Sequence, residues 1–175
     1  MQIGFKLVHP DAKLPTYAHP GDAGMDVYAV EDVTLYPNTP TLVKTGLVAD
    51  IPTGYEIQVR PRSGLALKEG ITVWNSPGTV DAGYRNAIGV ILLWAPPFRM
   101  PPPHIVLDNY GQERATWQNL IIPAEDTPIP MEKAIHKGDR IAQFVVAPVT
   151  RCEPVEVKEV SDTERGKGGF GSTGK

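Results

Sequence analysis

The sequence holds one cysteine, Cys152, among 175 residues. No intrachain disulfide can form, and a lone thiol fits a reducing compartment better than a secreted fold held by cystines. Basic residues are not in excess either. Seventeen Lys and Arg against 20 Asp and Glu leave a net charge of −3 and a pI near 5.8, which excludes the basic stripe that binds a nucleic-acid polymer through its phosphates. A phosphate-bearing small molecule stays compatible, because a few local cations and a metal serve it. No apolar run approaches the roughly 20 residues that cross a bilayer as a helix, and the start MQIGFKLVHPDAKLP has no basic flank leading into an apolar stretch. The expectation is a soluble, cytoplasmic protein without membrane or nucleic-acid partners. Its length allows one domain with a real core and is short for two.

Room for long helices is also missing. Eighteen prolines and 17 glycines interrupt the chain every few positions, so short strands are the natural alternative. Segments rich in β-branched and aromatic residues predict strands at Gly24–Val30, Pro40–Val48, Tyr55–Val59, Ile88–Trp94, Ile105–Leu107, Thr116–Ile122, Ile141–Val149 and Val155–Val160. The fold class is therefore all-β, a sandwich or barrel. One exception is Ser63–Lys68 (SGLALK), where Ser63 is expected to cap a single helical turn that Gly70 ends.

Two regions break the rhythm. Ala95–Met131 opens, after Trp94, with APPFRMPPP and holds eight prolines, which reads as a surface excursion because proline lacks the N–H a central strand must donate. The tail Ser161–Lys175 has five glycines and almost no apolar residues. Such tails are commonly mere floppy termini, and alone this one would be disordered. Its details point further: Arg165, Gly166, Gly168, Gly169, Phe170, Gly171, Ser172 and Thr173 set a cation, bare backbone amides and two hydroxyls around one aromatic ring. Successive N–H groups form a nest for phosphate oxygens, and the phenylalanine can stack on a base. The spacing is not that of a phosphate loop ending in Gly-Lys-Ser/Thr before a helix.

RGKGGFGSTG instead resembles the C-terminal motif of the trimeric deoxyuridine triphosphatases, and four further segments extend the resemblance in order. Ala23-Gly24-Met25-Asp26-Val27 resembles the first motif, and Pro61-Arg62-Ser63-Gly64-Leu65-Ala66-Leu67-Lys68-Glu69-Gly70-Ile71 the second. Gly78-Thr79-Val80-Asp81-Ala82-Gly83-Tyr84 resembles the third, and Gly138-Asp139-Arg140-Ile141-Ala142-Gln143 the fourth. The resemblance implies a β-barrel or jelly-roll-type domain over residues 1–160, including the excursion, and an arm over 161–175. It also implies a homotrimer with active sites between subunits, in which the arm of one chain closes over a neighbour's nucleotide. An arm of this composition would order only around substrate.

The implied reaction is hydrolysis of dUTP to dUMP and pyrophosphate. Asp81 would be the base that activates a water for attack on the α-phosphorus, a role that a carboxylate within hydrogen-bonding reach can fill. Asp is also common in turns, which is the plain structural reading of Asp81 before Ala-Gly. Tyr84 would pack on the deoxyribose and exclude a 2′-hydroxyl. Asn75 would read uracil with its amide, aided by backbone around Thr79, Val80 and Gly89. Arg62, Ser63, Gly64 and Gln143 would meet the phosphates, joined by Arg165, Phe170, Gly171, Ser172 and Thr173 of the arm. Arginine suits such work because its planar fork donates two hydrogen bonds at once. Asp26 would hold a water on Mg²⁺, which commonly takes its other ligands from substrate phosphates. His9, His19, His104 and His136 lie too far apart for a local zinc motif.

The chain departs from the family pattern in the third motif, where Gly83 replaces a second Asp and Asn86 a Gly that Asn, tolerant of positive φ, can replace. Gly83 is also similar to the related dCTP deaminases, but these need a Glu ten residues after the Asp, where Ile91 stands. The larger departure is length. Fifty-eight residues separate Tyr84 from Gln143, enough for an added hairpin or small lobe. Inserts at this place occur in some bacteriophage members of the family and contribute there to binding a regulatory protein. A second reading follows, in which Phe98, Tyr110 and Trp117 of the excursion anchor a partner.

Overall fold

A computed structural model describes residues 1–96, 104–107, 113–116, 131–164, 166 and 168. Twelve strands and one short helix follow in order: β1 (Gly4–Leu7), β2 (Met25–Tyr28), β3 (Val33–Leu35), β4 (Thr41–Asp50), β5 (Tyr55–Arg60), α1 (Ser63–Glu69), β6 (Ile71–Val73), β7 (Gly78–Asp81), β8 (Ile88–Trp94), β9 (His104–Leu107), β10 (Glu113–Thr116), β11 (Lys133–Ile135) and β12 (Arg140–Pro148). Two four-stranded sheets, ordered β1-β4-β8-β6 and β2-β12-β5-β7, carry the fold, with small pairs β3-β11 and β9-β10 beside them. The expected all-β architecture is what forms.

Alternation along the strands explains which face is buried. In β8, Ile88, Val90 and Leu92 point into the core and Gly89 and Ile91 point away; in β5, Ile57 and Val59 point in and Glu56, Gln58 and Arg60 point out. Phe144 of β12 is fully buried and stacks against Phe5 of β1, ring centroids 6.4 Å apart, so the inner faces of the two sheets meet in one apolar core.

The helix differs from its expectation in its start. Ser63 is its first residue rather than its cap: Arg62 holds the cap position with extended backbone (φ −89°, ψ 125°), and no side chain caps the helix. Gly70 ends it, at φ 68°. A Cβ there would lie 2.0 Å from the carbonyl oxygen of Ala95, so glycine is required both by conformation and by the close approach of the end of β8.

Asn86 needs no tolerance of positive φ, since among the described non-glycine residues only Asn38 adopts it. Val155–Val160 forms no strand within the chain. Among the described residues no strand pairs with it, and its valines stay exposed, Val155 at 71% and Val160 at 85%. The excursion contains an antiparallel hairpin, Leu107 opposite Glu113, and β10 begins ahead of the expected Thr116–Ile122 strand, whose remainder lies outside the described residues.

Candidate functional site

Asp81 closes β7, the edge strand of the second sheet, and the chain turns at once: the amide of Tyr84 donates to the carbonyl of Asp81 at 3.0 Å. Asp81 thus opens a turn and leaves its carboxylate exposed. Asn75 precedes β7 in the connection from β6, which contains a cis Ser76–Pro77 peptide. Together Asn75, Thr79, Val80, Asp81, Tyr84 and Gly89 line one cleft of about 210 Å³, completed by Val59, Gly78, Ile88 and Ile91. Six residues nominated from the sequence therefore converge. The cleft is smaller than the roughly 300–1,000 Å³ typical of pockets for drug-sized ligands, which suits a base with its sugar and leaves further ligand groups outside.

The wall members the sequence reading missed are Val59, Gly78, Ile88 and Ile91. A Cβ at Gly89 would meet Leu42 Cδ1 at 2.5 Å, so the glycine makes room for a cross-strand leucine. Ile91, opposite Leu42 in the ladder, turns its apolar side chain to the same cleft. No proton-transferring group stands at that position. Gly83 is bounded by open space, so crowding does not account for its missing carboxylate.

A second cluster forms at the opposite edge of the same sheet. Asp26 of β2 is nearly buried, 5% exposed, with Oδ1 accepting from Arg62 Nε at 3.1 Å and Oδ2 from Arg140 Nη1 at 3.0 Å. Arg62 Nη1 also donates to the carbonyl of Arg140 at 3.1 Å, and Gln143 Nε2 reaches Asp26 Oδ1 at 3.5 Å. Ladder register places Gln143 directly beside Asp26, and Gly24 leaves the space into which Gln143 packs. Two guanidinium groups against one carboxylate leave the cluster net positive and anion-seeking. Arg140 and Arg62 also line an adjoining cleft of about 240 Å³ with Asp139 and with Glu69, which is paired to Lys133. Arg140 lies within the fourth motif but was not singled out from sequence; its signal, a second cation beside the first, exists only once β2 and β12 are paired. Ser63 and Gly64 follow Arg62 at the exposed start of α1.

Asp26 fits a water-mediated role toward a cation better than direct ligation. Of about four lone-pair positions on a carboxylate, three face Arg62, Arg140 and Gln143, and among the described residues no three His, Cys, Asp or Glu side chains gather as a metal set. A divalent ion carried by a ligand's phosphates is compatible with that donor set.

The two clusters do not meet within one chain. In the sheet, Asp26, Gln143 and Arg60 share one row, and Ala147, Glu56 and Asp81 another, four residues along β5. Three inter-strand steps and four residues correspond to about 14 Å across and about 13 Å along the sheet, so roughly 20 Å separates the carboxylates. Groups acting on one reacting atom must stand about 3–3.5 Å from their targets, which these cannot do together. Arg165, Phe170, Gly171, Ser172 and Thr173, like Phe98, Tyr110 and Trp117, lie outside the described residues.

Comparison with known proteins agrees with this arrangement of motifs. The sequence model of the dUTPase family matches residues 10–95 and 132–174, leaving out nearly the whole excursion. The chain is 46% identical over 179 aligned residues to the deoxyuridine 5'-triphosphate nucleotidohydrolase of Solibacter usitatus, covering 100% of this chain and 97% of that one. Its fold is similar to that of a Staphylococcus bacteriophage 80alpha dUTPase with dUPNHPP, with a TM-score of 0.77 at 30% identity and 99% of both chains covered; phage dUTPases of that kind are described as controlling transfer of virulence genes by a proto-oncogenic G protein-like mechanism. It is also similar to a point mutant of the dUTPase from phage phi11 of S. aureus, with a TM-score of 0.68 at 26% identity over 93% of this chain and 100% of that one, in which a structural Mg(II) ion is coordinated.

Proposed function

Because the chain belongs to the dUTPase family it is a dUTP diphosphatase, and we propose that it cleaves dUTP between the α and β phosphates in sites built from more than one copy of itself. The observation that carries this is the division of one sheet: a base-sized cleft with Asp81 at one edge, an arginine cluster at the other, some 20 Å apart. A cyclic homotrimer that sets the β7 edge of one subunit against the β2 edge of the next brings both to one nucleotide. The exposed Val155–Val160 segment supports such an assembly, because among the described residues of a single chain nothing covers its valines.

In that site uracil enters the cleft against Asn75, and the ring of Tyr84, 42% exposed at its mouth, packs on the deoxyribose where a 2′-hydroxyl would go. The α-phosphate lies beside Asp81. Asp81 takes a proton from water, the hydroxide oxygen bonds to the α-phosphorus, and the bond to the bridging oxygen breaks so that pyrophosphate leaves. Arg62, Arg140 and Gln143 of the neighbouring subunit, with Ser63 and Gly64, bind the phosphates, and the arm with Arg165, Phe170, Gly171, Ser172 and Thr173 closes the site over the attacking water and keeps bulk solvent out. Mg²⁺ would enter on the triphosphate, with Asp26 holding one of its waters, and would offset phosphate charge when bound. Residues 1–160 act as the catalytic domain and 161–175 as its closing arm. A cytoplasmic location is consistent with the single, exposed thiol of Cys152.

Pyrophosphate release from dUTP, dTTP, dCTP and UTP, each with Mg²⁺ and with chelator, tests the reading. Efficient turnover is expected with dUTP and Mg²⁺ alone, with the other three nucleotides far slower. UTP hydrolysed at a comparable rate would remove the role given to Tyr84, and any dUMP or dUTP formed from dCTP would remove the substrate assignment.

A second reading adds a regulatory role at residues 95–131. It is favoured by the extra β9-β10 hairpin and by the region's absence from the family match. Deleting 96–130 is expected to leave dUTP turnover within about twofold, as for a surface excursion. Collapse of the assembly on deletion would assign the segment a structural role instead.

A further inference from the structure

Arg85 follows Tyr84 in the third motif and was given no role there, yet it touches the turn on which the cleft depends. Its Nη1 donates to the carbonyl oxygens of Ala82 at 2.6 Å and Tyr84 at 3.0 Å, and its Nη2 donates to Asp50 Oδ1 at 3.2 Å. Among the described residues no other side chain donates to the carbonyls of that turn. Asp50 ends β4, where it pairs with Gly4 of β1, so the guanidinium ties a turn of the second sheet to the margin of the first. Besides the backbone bond from the Tyr84 amide to the Asp81 carbonyl at 3.0 Å, the side-chain restraints on this turn are slight. The hydroxyl of Tyr84 reaches the carbonyl of Ala87 only at 3.4 Å, and Gly83 has open space around it.

We propose that Arg85, oriented by Asp50, is a positioning residue that holds Asp81 and Tyr84 in a fixed mutual placement, and that it thereby sets both the turnover of dUTP and its discrimination from UTP. The inference rests on the roles assigned above to Asp81 and Tyr84. It follows from geometry that only a planar fork provides: two carbonyls and one carboxylate lie within reach of one rigid group, whereas an ammonium offers a single point of donation. Displacing a reacting group by about 1 Å costs up to about 100-fold in rate, so loosening a turn that carries a base at one end and a sugar-packing ring at the other is felt in chemistry before it is felt in folding. Stability should change little, because Arg85 and Asp50 are 58% and 81% exposed and such surface pairs contribute little to it.

The test compares purified full-length Arg85→Met, Arg85→Lys, Asp50→Ala and the Arg85→Met/Asp50→Ala double variant, with Asp81→Asn as reference. Melting temperature, kcat and KM are measured on dUTP and on UTP. Arg85→Met is expected to lower kcat on dUTP about 10-fold, with KM changed less than about threefold, and to narrow the dUTP-to-UTP ratio of kcat/KM about 10-fold. Arg85→Lys should recover part of the loss. Asp50→Ala should give a weaker version, and the double variant should be no worse than Arg85→Met. An unchanged ratio and kcat in Arg85→Met overturns the proposal, as does a rate loss matched by a fall in melting temperature with the ratio preserved. If Asp81→Asn itself keeps full activity, the assignment of the turn as catalytic fails first, and the proposal with it.

Discussion

Asp81→Asn is expected to lower kcat for dUTP by about 100- to 10,000-fold, the range that general-base catalysis supplies, while leaving KM and the melting temperature nearly as they are. The side chain is exposed at the end of β7, and among the described residues no hydrogen bond or ion pair holds its carboxylate. An amide of the same shape therefore costs the fold little. What it removes is proton affinity. Bound nucleotide would still find the cleft of Asn75, Thr79 and Tyr84, so an equilibrium measurement with a non-hydrolysable dUTP analogue should give an affinity within a few-fold of the unaltered protein. Loss of binding in proportion to rate would assign Asp81 to holding the ligand, and retained turnover would move the base elsewhere, with Glu56, its cross-strand neighbour, the first place to look.

How much of this was legible in the sequence depends on which physical signal each element left. β8 coincides with its expectation, Ile88–Trp94, because seven residues of alternating and then continuous apolar character have no alternative use in a chain so broken by proline and glycine. β1, β3, β6, β7 and β11 span only three or four residues and left no period to read. Val155–Val160 shows the converse: a β-branched composition marks a segment that wants a partner, not the strand that supplies it, and among the described residues no strand pairs with it. Nomination of Asp81, Tyr84 and Asn75 came through motif resemblance, and the cleft then gathered them. Sites shared between subunits were implied by the resemblance, but which residues stand at which edge was not visible, since that depends on register, Asp26 beside Gln143 and Asp81 beside Glu56. Arg85 and Arg140 went unnoticed for a related reason: their importance lies in atoms they reach far along the chain, Asp50 in one case and Asp26 in the other.

Register also makes the assembly testable by mixing two dead proteins. Arg62→Ala removes one guanidinium from Asp26 and is expected to lower turnover about 100-fold or more as a pure assembly, since a charge-assisted phosphate contact and the aim of its neighbours go together. Asp81→Asn is equally inactive alone. If each site takes its β7 edge from one subunit and its β2 edge from another, unfolding the two together at equal concentration and refolding them gives mixed trimers in which some sites are intact. An intact site needs its Asp81 from the Arg62→Ala chain and its Arg62 from the Asp81→Asn chain, each met half the time, so about one quarter of unaltered activity should return. Were both edges of one site drawn from the same chain, every site in the mixture would carry one defect or the other and none would recover. The outcome rests on a distance already set by the sheet: three strand spacings and four residues keep Asp26 and Asp81 of a single subunit too far apart to act on one phosphorus atom.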